Sequence, residues 1–155
     1  MPISEEHLAE LKKFFDKPVS QTGTKPLKNA IEVAIYIEGE GPVTLTKKDG
    51  VAIILAQAPT APDMTFWVSM KALQELNEIQ TQDVGDIGVG ILKLMAHGDP
   101  GFKIKAKVHI GLFTLLRNGY LNVLPLGGPA VMKFLATKGF TGIGKIKEAI
   151  SHLKD

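Results

Sequence analysis

The chain predicts an α+β fold: an antiparallel five-stranded sheet with helices packed over one face. Three observations lead there. Runs with a two-residue apolar alternation crowd together between Ile31 and Ala56, separated by glycine-bearing turns. Two further alternating runs, Asp63–Val68 and Phe102–Val108, are held apart by a long stretch with helical spacing. Helical patterns also open and close the chain, so strands and helices are grouped rather than strictly alternating, which describes α+β architecture.

In chain order, Ser4-Glu5-Glu6 starts a helix, with a hydroxyl to cap the first amides and acids placed at the positive end of the helix dipole. His7, Leu8, Leu11, Phe14 and Phe15 supply its apolar stripe, and Pro18 ends it. Val19 to Lys28, with Gly23 and Pro26, reads as a polar linker. Ile31, Val33, Ile35 and Ile37 then alternate with Glu32, Ala34, Tyr36 and Glu38 as a strand with one buried face. Gly39-Glu40-Gly41-Pro42 turns the chain into a second strand, Val43 to Lys47. Asp49-Gly50 signals a tight hairpin. Val51 to Ala56 is apolar almost throughout, which predicts a central strand.

Pro59 and Pro62 punctuate the loop before the fourth strand, Asp63 to Val68. Ser69 caps a helix carrying Met70, Leu73, Leu76 and Ile79. A second helix carries Val84, Ile87, Ile91, Leu94 and Met95 and stops at His97-Gly98-Asp99-Pro100. The fifth strand, Phe102 to Val108, places Lys103, Lys105 and Lys107 on one face. Leu112, Leu115, Leu116, Leu121 and Leu124 follow with helical spacing. Pro129, at a first helical position, opens a helix with Val131, Met132, Phe134 and Leu135 that Lys138-Gly139 closes. A last stripe, Ile143, Ile146, Ile150 and Leu153, predicts a C-terminal helix with one apolar face.

At 155 residues the chain predicts a single domain over 1–155, with an N-terminal helix and linker over 1–28 and a helical extension over 125–155. A net charge of +2 and 6% aromatics argue against a nucleic-acid partner. With no cysteine, disulfides, thiolate metal sites and cysteine nucleophiles are excluded. His7, His97, His109 and His152 lack metal-ligand spacing, and no nucleophile elbow or carboxylate pair stands out. The expectation is therefore a non-enzyme with no cofactor and no metal. No apolar run approaches the roughly 20 residues of a membrane span, and the first ten residues lack a basic-then-apolar signal, so a cytoplasmic protein is expected. Gly139 to Lys145 has the glycine and lysine spacing of a phosphate-binding loop, but Ile146 stands where a magnesium-holding hydroxyl belongs and a helix precedes it, so it reads as a turn.

From about residue 28 to residue 124 the chain resembles the sterol carrier protein type 2 domain family. The resemblance rests on the strand Asp63-Met64-Thr65-Phe66-Trp67-Val68 leading into the helix Met70–Gln80. It rests also on the lysine-interleaved strand Phe102–Val108 running into the apolar helix Gly111–Leu116, and on the meander Ile31–Ala56 before them. The resemblance implies a helix-roofed sheet enclosing an apolar tunnel for a lipid or similar long apolar ligand. Phe66, Val68, Leu73, Leu76, Ile91, Met95, Phe102, Ile104, Leu112, Leu115, Leu116 and Leu124 would line it. The alternative is an interaction or oligomerisation module in which the same side chains fill the core. Beyond the ligand, the partners the sequence allows are a transient membrane surface, met by the lysine row, and a second copy of the chain, met by the C-terminal helices.

Overall fold

The structure is a computed structural model that describes residues 2–97 and 99–137. The glycine turn at 139–145 and the stripe of Ile143, Ile146, Ile150 and Leu153 lie outside the described residues. The elements are α1 (Glu5–Asp16), α2 (Pro18–Gly23), β1 (Val33–Ile37), β2 (Glu40–Lys48), β3 (Val51–Leu55), β4 (Met64–Val68), α3 (Met70–Glu78), α4 (Val84–Met95), β5 (Ile104–Val108), α5 (Leu112–Arg117), α6 (Val123–Leu126) and α7 (Gly128–Thr137). Single 3-10 turns cover Pro100–Phe102 and Tyr120–Asn122.

The fold is α+β with a five-stranded sheet in the order β3-β2-β1-β4-β5. The sheet is mixed, not antiparallel throughout: β1 and β4 run parallel, in register from Val33↔Met64 to Ile37↔Val68, while every other pair is antiparallel. The loop over residues 56–63 makes this arrangement by carrying the chain from β3 across the sheet to the far side of β1. Small side chains let it lie against the strands. Thr44 donates its hydroxyl to the Gln57 carbonyl at 2.7 Å, the Glu32 carboxylate accepts from the amides of Thr60 and Ala61 at 3.1 Å each, and Ala34 beside them is buried.

Strand β3 is an edge strand, not a central one. Its apolar composition is explained by α1 packed on one side and by Gln21 on the open edge. The Gln21 amide donates to the Ala52 carbonyl at 2.9 Å and accepts from the Ala52 amide at 3.0 Å, taking the place of a neighbouring strand. Gln21 sits on α2, so the segment expected as a linker is partly helical: Pro18 stops α1 and also begins α2, where its missing N–H costs nothing. The two hairpins turn on two-residue loops with left-handed backbone, Glu38-Gly39 and Asp49-Gly50, so the first turn is tighter than the four-residue turn expected.

One face of the sheet carries the core. Val33, Ile35 and Ile37 of β1, Val43 and Leu45 of β2, Ala52 and Ile54 of β3, and Ile104 of β5 are all buried there beneath α1, α3 and α4, and Val108 is buried at the end of β5. Caps fix where these helices begin: Ser4, Ser69 and Asp83 each accept a first-turn amide.

Candidate functional site

Helices α3, α4 and α7 enclose an open groove of about 750 Å³. Its floor is apolar, made by Leu76 and Ile79 from α3 and its cap, Val89, Gly90 and Leu94 from α4, and Ala130 and Phe134 from α7. Glu75, Asp86, Lys93, His97, Lys133 and Thr137 form a polar rim of mixed charge. Such a volume lies within the roughly 300–1,000 Å³ usual for small-molecule sites.

The glycines of α4 shape this groove. A Cβ on Gly88 would stand 2.8 Å from Val131 Cγ2, and one on Gly85 would stand 2.5 Å from the Gly127 carbonyl oxygen. These two positions therefore let α7 lie close along α4, where Val131 and Leu135 pack against Val89 and Leu92. Gly90 does the same on the other flank: a Cβ there would meet Ile79 Cδ1 at 3.0 Å and Leu76 Cδ2 at 3.3 Å, so its absence lets the α3 side chains lie close against α4.

The twelve residues expected to line a tunnel divide into several groups. Leu73, Leu76, Ile104 and Leu115 are buried in the core, and Leu76 also reaches the groove. Phe66, Val68, Ile91, Met95 and Phe102 are half-buried side chains packed against that core, with Phe102 in the 3-10 turn before β5 rather than in the strand. Leu112 is half-buried and Leu116 is 49% exposed. Leu124 lies in α6, and its side chain is outside what is described.

A contrast in burial runs along the sheet. Val33, Ile35 and Ile37 are at most 3% exposed, yet their register partners on the neighbouring strand, Met64, Phe66 and Val68, are only half-buried. The helical cover is thus complete over β1 and β2 and incomplete over β4. Val68 opens onto a second groove of about 750 Å³, which it shares with Glu38, Trp67, His97, Lys103 and Lys105. Trp67 stacks there on Tyr36 with ring centroids 5.9 Å apart.

The lysine row is less uniform than alternation suggests. Lys105 and Lys107 are exposed on the outer face. Lys103 instead closes α4, donating from Nζ to the Met95 carbonyl at 2.7 Å and the His97 carbonyl at 3.0 Å.

Polar clusters elsewhere serve the fold. The buried Asp63 carboxylate accepts from Asn118 Nδ2 at 3.0 Å and from the Tyr120 hydroxyl at 2.8 Å, tying the start of β4 to the turn after α5. Burial, and then this carboxylate, push the Tyr120 hydroxyl well above the usual tyrosine range, so it stays a donor. Among the described residues no group of three or more histidine, aspartate or glutamate side chains could hold a metal ion, and no helix is long and apolar enough to cross a membrane.

Val89, Gly90, Ala130 and Lys133 escaped the sequence reading, although glycines at 85, 88 and 90 in an otherwise apolar helix are a legible sign of close packing.

The sequence matches no known family model and no curated protein. A solved structure titled "UbiJ-SCP2 Ubiquinone synthesis protein" is similar in layout, with a TM-score of 0.44 and 15% identity over 84% of this chain and 95% of that one.

Proposed function

We infer that this chain is a non-catalytic binding protein for a long apolar ligand, held in the groove between α3, α4 and α7. One observation carries the reading: an open groove of about 750 Å³ with an apolar floor lies between α3, α4 and α7. Each methylene moved from water onto that floor contributes about 0.8 kcal/mol, less where the open flank leaves it wet. Lys93 and Lys133 on the rim suit a polar or anionic head group, while Glu75 and Asp86 limit how much negative charge the rim accepts.

A second reading, an interaction module with a core filled by its own side chains, draws on the dense burial of Leu73, Ile104 and Leu115. The two separate on organic extraction of purified protein followed by mass spectrometry. A carrier yields a stoichiometric apolar molecule. Ala130 is exposed on the first turn of α7, so Ala130→Trp fills the groove without entering the core. That variant should keep the wild-type melting temperature and lose at least about tenfold of the bound molecule, the effect of removing roughly two buried methylenes' worth of contact. No extractable molecule from the wild type in several expression hosts would favour the module.

A further inference from the structure

Helix α5 turns one face inward and another to water. Leu115 is 1% exposed and anchors the helix, whereas Phe113 is 73% exposed and Leu116 49% exposed. Phe113, Leu116 and Arg117 stand three and four positions apart and so share the outer face. The Arg117 guanidinium lies over the Phe113 ring, 5.7 Å from its centroid. An isolated exposed leucine needs no explanation, but an aromatic ring so fully presented beside a second large apolar residue does.

The sequence that contains this helix is basic. Residues 100–137 carry Lys103, Lys105, Lys107, Arg117 and Lys133 and not one aspartate or glutamate. Since the whole chain has a net charge of +2, the remainder is net negative, and the two signs are segregated along the sequence. Asp63, which approaches this region from β4, is buried and held by Asn118 and Tyr120. Arg117 on the apolar tip, with the exposed Lys107 just before the helix, suits an anionic lipid surface, where cations meet headgroup phosphates and apolar side chains enter the acyl boundary.

We propose that α5 docks on anionic membrane surfaces, with Phe113 and Leu116 entering the interface and Arg117 on the headgroup phosphates. The contact does not require a ligand in the groove, so it stands or falls separately from the carrier reading.

The test is sedimentation with vesicles of phosphatidylcholine, with and without phosphatidylglycerol. The wild type should bind the anionic vesicles, and added salt should weaken the binding. Phe113→Ser and Leu116→Ser should each lower partitioning about tenfold, and Arg117→Gln about fivefold on anionic vesicles only. All three side chains face solvent, so circular dichroism should match the wild type. The chain has no cysteine, so Leu116→Cys takes a single environment-sensitive dye, whose emission should shift to the blue on anionic vesicles. Absence of wild-type binding, unchanged binding by Phe113→Ser, or equal binding to neutral vesicles would each overturn the proposal. So would a wild-type dimer in sedimentation velocity that Phe113→Ser dissolves, because the face would then belong to a second copy.

Discussion

At the start of the chain, the Glu40 carboxylate accepts from the Ser4 amide at 3.0 Å and meets His7 Nδ1 at 2.6 Å, fastening α1 to the first hairpin. The Ser4 amide, ahead of His7, holds the Glu40 carboxyl below its ordinary value. A depressed folded value means the unfolded chain binds the proton more readily, so this contact stabilises above the unfolded carboxylate value of about 4.3 and is lost as pH falls through the folded one. The protection of the first-turn α1 amides against hydrogen exchange, taken relative to their intrinsic rates, should therefore fall below about pH 4 in the wild type. Glu40→Gln keeps an acceptor for Ser4 but cannot titrate, and its α1 exchange should lack that acid limb; an identical limb would place the titrating group elsewhere. Neither partner was legible as a pair, because thirty-three positions separate them. Lys47 was hidden for the same reason. Alternation puts it on the inner face with Val43 and Leu45, which is no place for a lysine until the carbonyls of Thr24, Lys25 and Leu27 are seen around Nζ at 3.2, 3.0 and 2.8 Å. Lys105 and Lys107, whose setting is local, follow the alternation as read.

Among the elements, strands and caps were legible because each depends on a few neighbouring residues. Ser4 and Ser69 cap as their positions suggest, and Asp49-Gly50 makes its hairpin. What failed depends on pairing across the chain. The apolar run of β3 carries no sign that Gln21 would cover its edge, and nothing local to β4 fixes a parallel partner. The turn between α5 and the following 3-10 helix is a sharper case. Gly119 has φ +91°, and a Cβ there would overlap the Pro26 carbonyl oxygen. Here both the backbone conformation and the close approach of the 24–28 segment require glycine. The Lys28 amide donates to the Asn118 carbonyl at 3.1 Å, so the two segments cannot separate freely. Gly119→Ala should cost roughly 3 kcal/mol or more in urea unfolding. A loss below about 1 kcal/mol, within the range of ordinary Gly-to-Ala changes, would mean that this approach is looser than drawn.

Over the whole molecule, one sheet face is sealed by helices above β1 and β2, and the helical layer parts between α3, α4 and α7. The apolar supply that suggested a ligand was legible in the sequence, as were the helices that bear it. Its division was not: Leu73, Ile104 and Leu115 went to the core, Leu116 to the surface, and Val89, Gly90 and Ala130 to the groove. Helical spacing identifies an apolar face but not whether another element covers it, and here the answer depends on how closely α7 approaches α4. The most direct test is paramagnetic relaxation on isotopically labelled protein titrated with a nitroxide-labelled fatty acid. If the groove is the binding site, signals from Leu76, Ile79, Val89, Gly90 and Ala130 broaden first, and those of β2 and β3 stay sharp. Broadening confined to Phe113 and Leu116 would show surface contact alone, and that result, or no broadening at all, would contradict a ligand held between α3, α4 and α7.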